Sequence, residues 1–130
     1  MFTFKKEERL CRKSYLDALF ASGSSFFIYP FSFRYLEITD GSLPAQAQIV
    51  ISVPKRKFKR AHDRNRIRRQ LREVYRLNKA KFYDQLAAGN KQVVFLVSYS
   101  AKTELPYATL HKQLVFALHR FAEVLNPPAS

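Results

Sequence analysis

Hydrophobic positions change period several times along this chain, and each change marks an element. From about Lys6 to Ala21, Leu10, Leu16, Leu19 and Phe20 cluster near helical spacing, and Gly23 is placed to stop the helix. Phe26 to Ile38 is rich in aromatic and β-branched residues, with Pro30 marking an edge or an irregularity. Within it Phe31, Phe33 and Tyr35 alternate with Ser32 and Arg34, the period-two sign of a strand with two different faces. Thr39-Asp40-Gly41-Ser42 is a turn, and Gln46 to Val53 reads as a strand with Ala47, Ile49, Ile51 and Val53 on one side. From about Arg60 to Ala80 the period becomes helical. Gly89-Asn90 punctuates, and Lys91 to Tyr99 is apolar enough for a strand inside a sheet. In the last helix Leu110, Leu114, Leu118, Phe121 and Leu125 keep to one stripe, and residues 126–130 read as a frayed tail. The order predicts an α/β sandwich, a small sheet with helices packed on it, in a single domain over residues 1–125.

Charge changes this picture more than any other property. The 130 residues include 23 Lys and Arg against 10 Asp and Glu, a net +13. The excess sits in one stretch: between Pro54 and Lys81 lie thirteen basic residues and two acidic ones, Asp63 and Glu73. Such an imbalance says little about fold but points to a polyanionic partner. Cys11 is the only cysteine, so there is no internal disulfide and no Cys-based zinc site. With no signal-peptide pattern and no apolar run long enough to span a bilayer, the chain reads as cytoplasmic, with no membrane contact.

On a helical wheel advancing about 100° per residue from Ile67, Leu71 falls near 40° and Val74 near 340°, a compact stripe that must face the sheet. On the same wheel Arg68, Arg72, Asn65, Arg76 and Arg69 occupy about 100–200°, on the opposite side. The spacing also predicts an i,i+4 pair between Arg69 and Glu73. A solvated helix face mixes signs, whereas this one is almost wholly positive and dominated by arginine, whose planar fork suits phosphate oxygens. Asn65 adds a donor and an acceptor that can read a base edge or a sugar hydroxyl. Nucleic acid is the partner this face predicts.

Catalysis by the polypeptide itself has little support. The acidic residues are scattered with no motif for gathering two metal ions. His111 and His119 lie about 12 Å apart along the last helix, too far for paired acid–base work. Among the aromatics, Phe95, Phe116 and Phe121 read as core, while Phe33 and Tyr35 suit either core or base stacking. Ribosomal-type RNA binding and a DNA major-groove helix are the alternatives from other classes. The DNA reading is the weaker, since the apolar stripe opposite the arginines implies packing on a sheet.

Residues 59 to 76, Lys-Arg-Ala-His-Asp-Arg-Asn-Arg-Ile-Arg-Arg-Gln-Leu-Arg-Glu-Val-Tyr-Arg, resemble the signature of the bacterial ribonuclease P protein subunit. Arg64-Asn65-Arg66 forms its centre, followed by Arg68-Arg69 and Arg72-Glu73. Arg9-Leu10, Phe20 and the basic strand exit Val53-Pro54-Lys55-Arg56-Lys57 extend the resemblance over nearly the whole chain. Leu16 stands where an aromatic residue is frequent in that family, Lys59 where glycine is, and His62 where an aliphatic residue is.

The resemblance implies an α/β (α+β) two-layer sandwich of αβββαβα order. In it the arginine helix makes a left-handed crossover, against a background in which about 98% of such connections are right-handed. It also implies a job: supporting a catalytic RNA that removes the 5′ leader of precursor tRNA by metal-assisted hydrolysis. By matching position, Lys57, Arg60, Arg64, Asn65, Arg66, Arg68, Arg69, Arg72 and Arg76 would contact RNA. A cleft beside the first helix, walled by Phe20, Phe33 and Tyr35 with Asn65, Arg69 and Arg72 at its edge, would hold the leader. The catalytic groups are then expected on the RNA, with Mg2+ held through it, no cofactor on the chain and no protein partner required.

Overall fold

The computed structural model describes residues 6–10, 12–39 and 41–127. Cys11, Asp40 and the last three residues of the expected tail lie outside that set. The first helix is shorter than its periodicity predicts. Lys6–Glu8 make one 3-10 turn, and α1 runs only from Lys13–Ser22. Between them Arg9 pairs in parallel with Ile49, and the Leu10 N–H donates to the Ile49 carbonyl at 2.9 Å. The backbone of this segment therefore covers a strand edge that would otherwise stand open. Gly23 ends α1 as expected: its N–H reaches the Leu19 carbonyl, and a side chain there would run into that same oxygen.

The aromatic run from Phe26 to Ile38 is two strands, not one. Strands β1 (Ser24–Ile28) and β2 (Phe31–Ile38) form an antiparallel hairpin that reverses at a cis Tyr29–Pro30 bond, with Phe26 opposite Phe33. Strand β3 (Ala47–Ser52) leads into α2 (Ala61–Ala88), followed by β4 (Gln92–Tyr99) and α3 (Tyr107–Leu125). Helix α2 overruns its predicted end by two turns and stops at Gly89-Asn90, where Asn90 adopts a left-handed conformation that asparagine tolerates. The order is αβββαβα, in a mixed sheet arranged β1-β2-β4-β3. Strands β3 and β4 are parallel, so α2 is the crossover between them.

Alternation then sends the strand residues to two faces. Phe31, Phe33, Ile49, Ile51, Phe95, Val97 and Tyr99 point to the side covered by α2 and α3, where the main core lies. On the other side Leu36, Val50, Val94 and Leu96 pack beneath Leu16 and Leu19 of α1. Phe95 and Phe121 are buried, as their spacing predicts, but Phe116 is 51% exposed. It lies two positions from Leu114, about 200° round the helix, so it cannot join the buried stripe.

One core feature has no local sequence signal. Lys79 lies on the inner side of α2, and its ammonium contacts both carboxylate oxygens of Glu8 at 2.5 Å. Both side chains are only 9% exposed. The ammonium also sits 5.5 Å from the Tyr83 ring centre, and the Tyr75 hydroxyl donates to that of Tyr83. Burial pushes both tyrosine hydroxyls above their ordinary range, keeping them protonated donors. The pair joins residues 71 positions apart and fixes the N-terminal segment to α2.

Candidate nucleic-acid interface

Helix α2 presents its arginines because its other side is committed. Ile67, Leu71 and Val74 are fully buried, as the wheel requires, and Tyr75, Lys79, Phe82 and Leu86 widen the inner stripe. On the outer side Arg60, Asn65, Arg69 and Arg72 are exposed. Among the described residues Arg60, Arg69 and Arg72 have no carboxylate within 4.0 Å, so their guanidiniums are uncompensated. Packing of the opposite face holds them on a rigid rod.

The remaining basic residues of the segment are partly spent inside the protein. Lys57 donates to the Ser100 carbonyl at 2.6 Å, tying the loop after β3 to the end of β4. Arg64 turns back to donate to the carbonyls of Phe58 and Lys59 at 2.8 and 2.9 Å. Arg68 donates to the Asn65 side-chain oxygen at 2.8 Å, which leaves the Asn65 amide as a donor. Glu73 is held by Arg76 through two contacts of 2.5 and 3.1 Å, not by Arg69 as the i,i+4 spacing predicts. With Glu73 engaged by Arg76, Arg69 is left open.

Arg66 departs furthest from expectation. It grips Glu104 in the β4–α3 loop with two hydrogen bonds of 2.6 and 2.8 Å and takes Asp63 at 2.9 Å. The residue that the family resemblance sets against RNA is therefore engaged by two carboxylates and anchors that loop to α2. The hydrogen bonds from Arg66 hold the Glu104 carboxyl below its ordinary range, and Glu104 in turn raises the Arg66 guanidinium. A carboxylate depressed on folding contributes stability above its unfolded pKa and loses it as pH falls through the folded value. Glu104→Gln is thus expected to flatten the acid limb of the stability curve below about pH 4. The step should be small, because the pair is partly solvated; chemical denaturation across pH measures it, and an unchanged acid limb would remove Glu104 from the account.

The expected leader cleft needs a larger correction. Phe33 is fully buried, with ring centres 4.7 Å from Phe26 and 5.4 Å from Phe121, and Tyr35 packs edge-on against Phe121 at 5.1 Å. Both belong to the α2–α3 side of the sheet, whereas Phe20 stands on the α1 side. Asn65, Arg69 and Arg72 ride on the outside of α2, so they do not share one pocket with Phe20. Period-two alternation separates the two faces of β2 but does not say which carries α1, and here it is the face of Ser32 and Arg34.

Sequence spacing alone does not single out the sheet surface that α1 leaves open. Its apolar contacts end at Leu36, Leu96 and Val50. One step further along the strands, Phe27, Ser32, Ser98 and Ser52 stand side by side across all four strands. Phe27 is 59% exposed and Phe20 is 58% exposed. Arg34 donates to the carbonyls of Leu19 and Phe20, both at 2.9 Å, and its guanidinium lies 5.9 Å from the Phe20 ring centre. A cation thus completes the C-terminus of α1 and fixes Phe20 above the sheet. The register could have revealed this row, but only once the hairpin was known.

No group of three or more His, Cys, Asp or Glu among the described residues is placed to hold a metal ion. His111 faces the Asn78 amide at 3.2 Å, and His119 lies 3.6 Å from Glu123. No described helix is long and apolar enough to cross a membrane.

Comparison with known proteins agrees with these observations. The family model described as Ribonuclease P matches residues 4–122. The ribonuclease P protein component of Porphyromonas gingivalis is 32% identical over 99% of this chain and 92% of its own length. That of Acinetobacter baylyi is 32% identical over 90% of this chain and 82% of its own. Among solved structures, the ribonuclease P protein of Thermotoga maritima superposes with a TM-score of 0.65 at 22% identity, covering 87% of this chain and 96% of that one. The protein from Staphylococcus aureus gives 0.63 at 19%, covering 92% and 98%. The chain belongs to the bacterial ribonuclease P protein family: it is the protein subunit of a tRNA-processing ribonucleoprotein endoribonuclease, and its partner is the ribonuclease P RNA.

Proposed function

We propose that this subunit divides its RNA contacts between two surfaces. The outer side of α2, led by Arg60, Arg69 and Arg72 with Asn65 and Arg68 beside them, takes phosphates of the ribonuclease P RNA. The sheet face beyond α1 takes the single-stranded 5′ leader of precursor tRNA. The observation that carries the leader reading is the row Phe27–Ser32–Ser98–Ser52, its serines half-buried and Phe27 exposed, with Phe20 above it. Exposed rings accept unstacked bases regardless of sequence, and neighbouring hydroxyls can both donate and accept toward phosphate and 2′-hydroxyl oxygens. Lys57, held at the end of β4 by Ser100, places a cation beside that row.

Hydrolysis is assigned to groups on the RNA. The Mg2+ that the family uses through its RNA would be held there. The chain's part is to bind, orient and neutralise. Residues 1–125 are proposed to act as one domain.

The test compares precursor tRNA with mature tRNA as ligands for the reconstituted complex. Phe27→Ala is expected to reduce the preference for the precursor by about 5- to 150-fold, the worth of one base–ring stack. Tyr35→Phe, altered on the opposite face, should leave the preference unchanged. A preference that survives Phe27→Ala and a matching Ser98→Ala would remove the leader from this surface.

A further inference from the structure

Between the C-terminal half of α2 and α3 lies a groove of about 450 Å³, remote from the cleft and from the arginine face. Its floor is apolar: Phe82 and Leu118 are 2% and 3% exposed. Phe116 stands at its edge, half exposed and with no ring partner among the described residues. Lys81 from α2 and Lys112 from α3 line it, and both are exposed and lack a carboxylate partner among the described residues. Glu123, an acid on the same helix, is turned to His119 and Arg120. Gln85 adds an amide that makes no hydrogen bond among the described residues.

We infer that this groove binds one unstacked nucleotide of RNA, its base against Phe116 and its phosphate between Lys81 and Lys112. The charge is complementary to phosphate, and the ring offers a face that any base can stack on. The volume suits one planar group, at the small end of ligand pockets. A docked amphipathic helix needs a longer row of anchoring pockets. Along α2 the ridge Arg69–Glu73–Leu77–Lys81 advances four residues at a time, winding from the arginine face toward the groove. A bound RNA can follow it. The inference uses RNA as the partner but is independent of where the leader lies.

Binding of the full chain to ribonuclease P RNA, measured over a range of salt, tests it. Phe116→Ala is expected to weaken binding about 5- to 150-fold without changing the logarithmic salt slope. Phe116→Tyr should retain it, and the Lys81→Ala/Lys112→Ala pair, which together hold one phosphate, should lower the slope by about 0.7–0.9. Unfolding curves should stay at wild type for all three, since the altered side chains are exposed. If the losses appear only when precursor tRNA is added to the complex, the nucleotide comes from the substrate; if they appear with the RNA subunit alone, it comes from that subunit. Both results support the site. Unchanged affinity and slope in every arm overturn it, as does sedimentation showing that Phe116→Ala instead dissolves a dimer of the chain, which would make the groove a contact between copies. Neither failure touches the preference for precursor over mature tRNA, which reads the cleft alone.

Discussion

Replacing Lys79 with methionine is expected to destabilise the free protein by about 3 kcal/mol, the cost of breaking a buried ion pair by removing one partner. The Glu8 carboxylate is 9% exposed and would lose its cation in a place that water does not reach freely. The expected cost is at the lower end for a broken buried pair, because the Tyr83 hydroxyl still bonds to Glu8. Removing both charges, as Glu8→Leu with Lys79→Met, should cost less than removing the lysine alone, since no uncompensated charge then remains. Denaturant titration of the two single variants and the double variant gives the answer. A double variant as unstable as the sum of the singles would mean that the residues act separately and that the N-terminal segment is held by other contacts.

A second large effect concerns RNA. Arg69→Ala/Arg72→Ala removes two uncompensated guanidiniums from the rigid outer face of α2. Each phosphate contact contributes about 0.7–0.9 to the logarithmic salt slope, so the pair should lower it by about 1.4–1.8. At 0.1 M salt that corresponds to a loss of about 25- to 60-fold in affinity for the ribonuclease P RNA, relative to 1 M salt. Arg66→Ala makes the informative contrast. That side chain is occupied by Glu104 and Asp63, so its loss should leave the slope unchanged and loosen the β4–α3 loop. Titration of the RNA at several salt concentrations separates the cases. If Arg66→Ala lowers the slope as much as one of the open arginines, the carboxylates give way to phosphate and Arg66 rejoins the interface.

These contrasts show where the arginine pattern was legible and where it was not. Three buried side chains, Ile67, Leu71 and Val74, fix the rotation of α2, and their spacing is a local property that any helix former would express. The outward direction of Arg69 and Arg72 follows from it. Which guanidiniums remain open does not follow. That depends on Glu104, 38 residues from Arg66, and on the preference of Glu73 for the fork of Arg76 over its i,i+4 neighbour.

The same division runs through the sheet. Alternation along β2 correctly separates Phe33 and Tyr35 from Ser32 and Arg34, but both sets are compatible with either face until the helices are placed. Packing assigns the aromatic set to α2 and α3, because Phe26, Phe95 and Phe121 close around Phe33. The sheet face beyond α1 is thereby left to serines and Phe27, with Phe20 above it. The first helix is shorter than its periodicity predicts for a related reason: an apolar Leu10 fits a helical stripe, but its backbone is recruited to the edge of β3, a partner that sequence spacing cannot see.

From the amino-acid order alone come the single basic segment, the rotation of α2, the strands' alternation and a motif specific enough to name a family, because each is set by neighbours a few positions apart. Tertiary structure decided the rest: the Glu8–Lys79 pair, the capture of Arg66 and the face on which α1 lies. Those depend on residues brought together from distant parts of the chain, where burial and charge compensation, not local periodicity, select the partner.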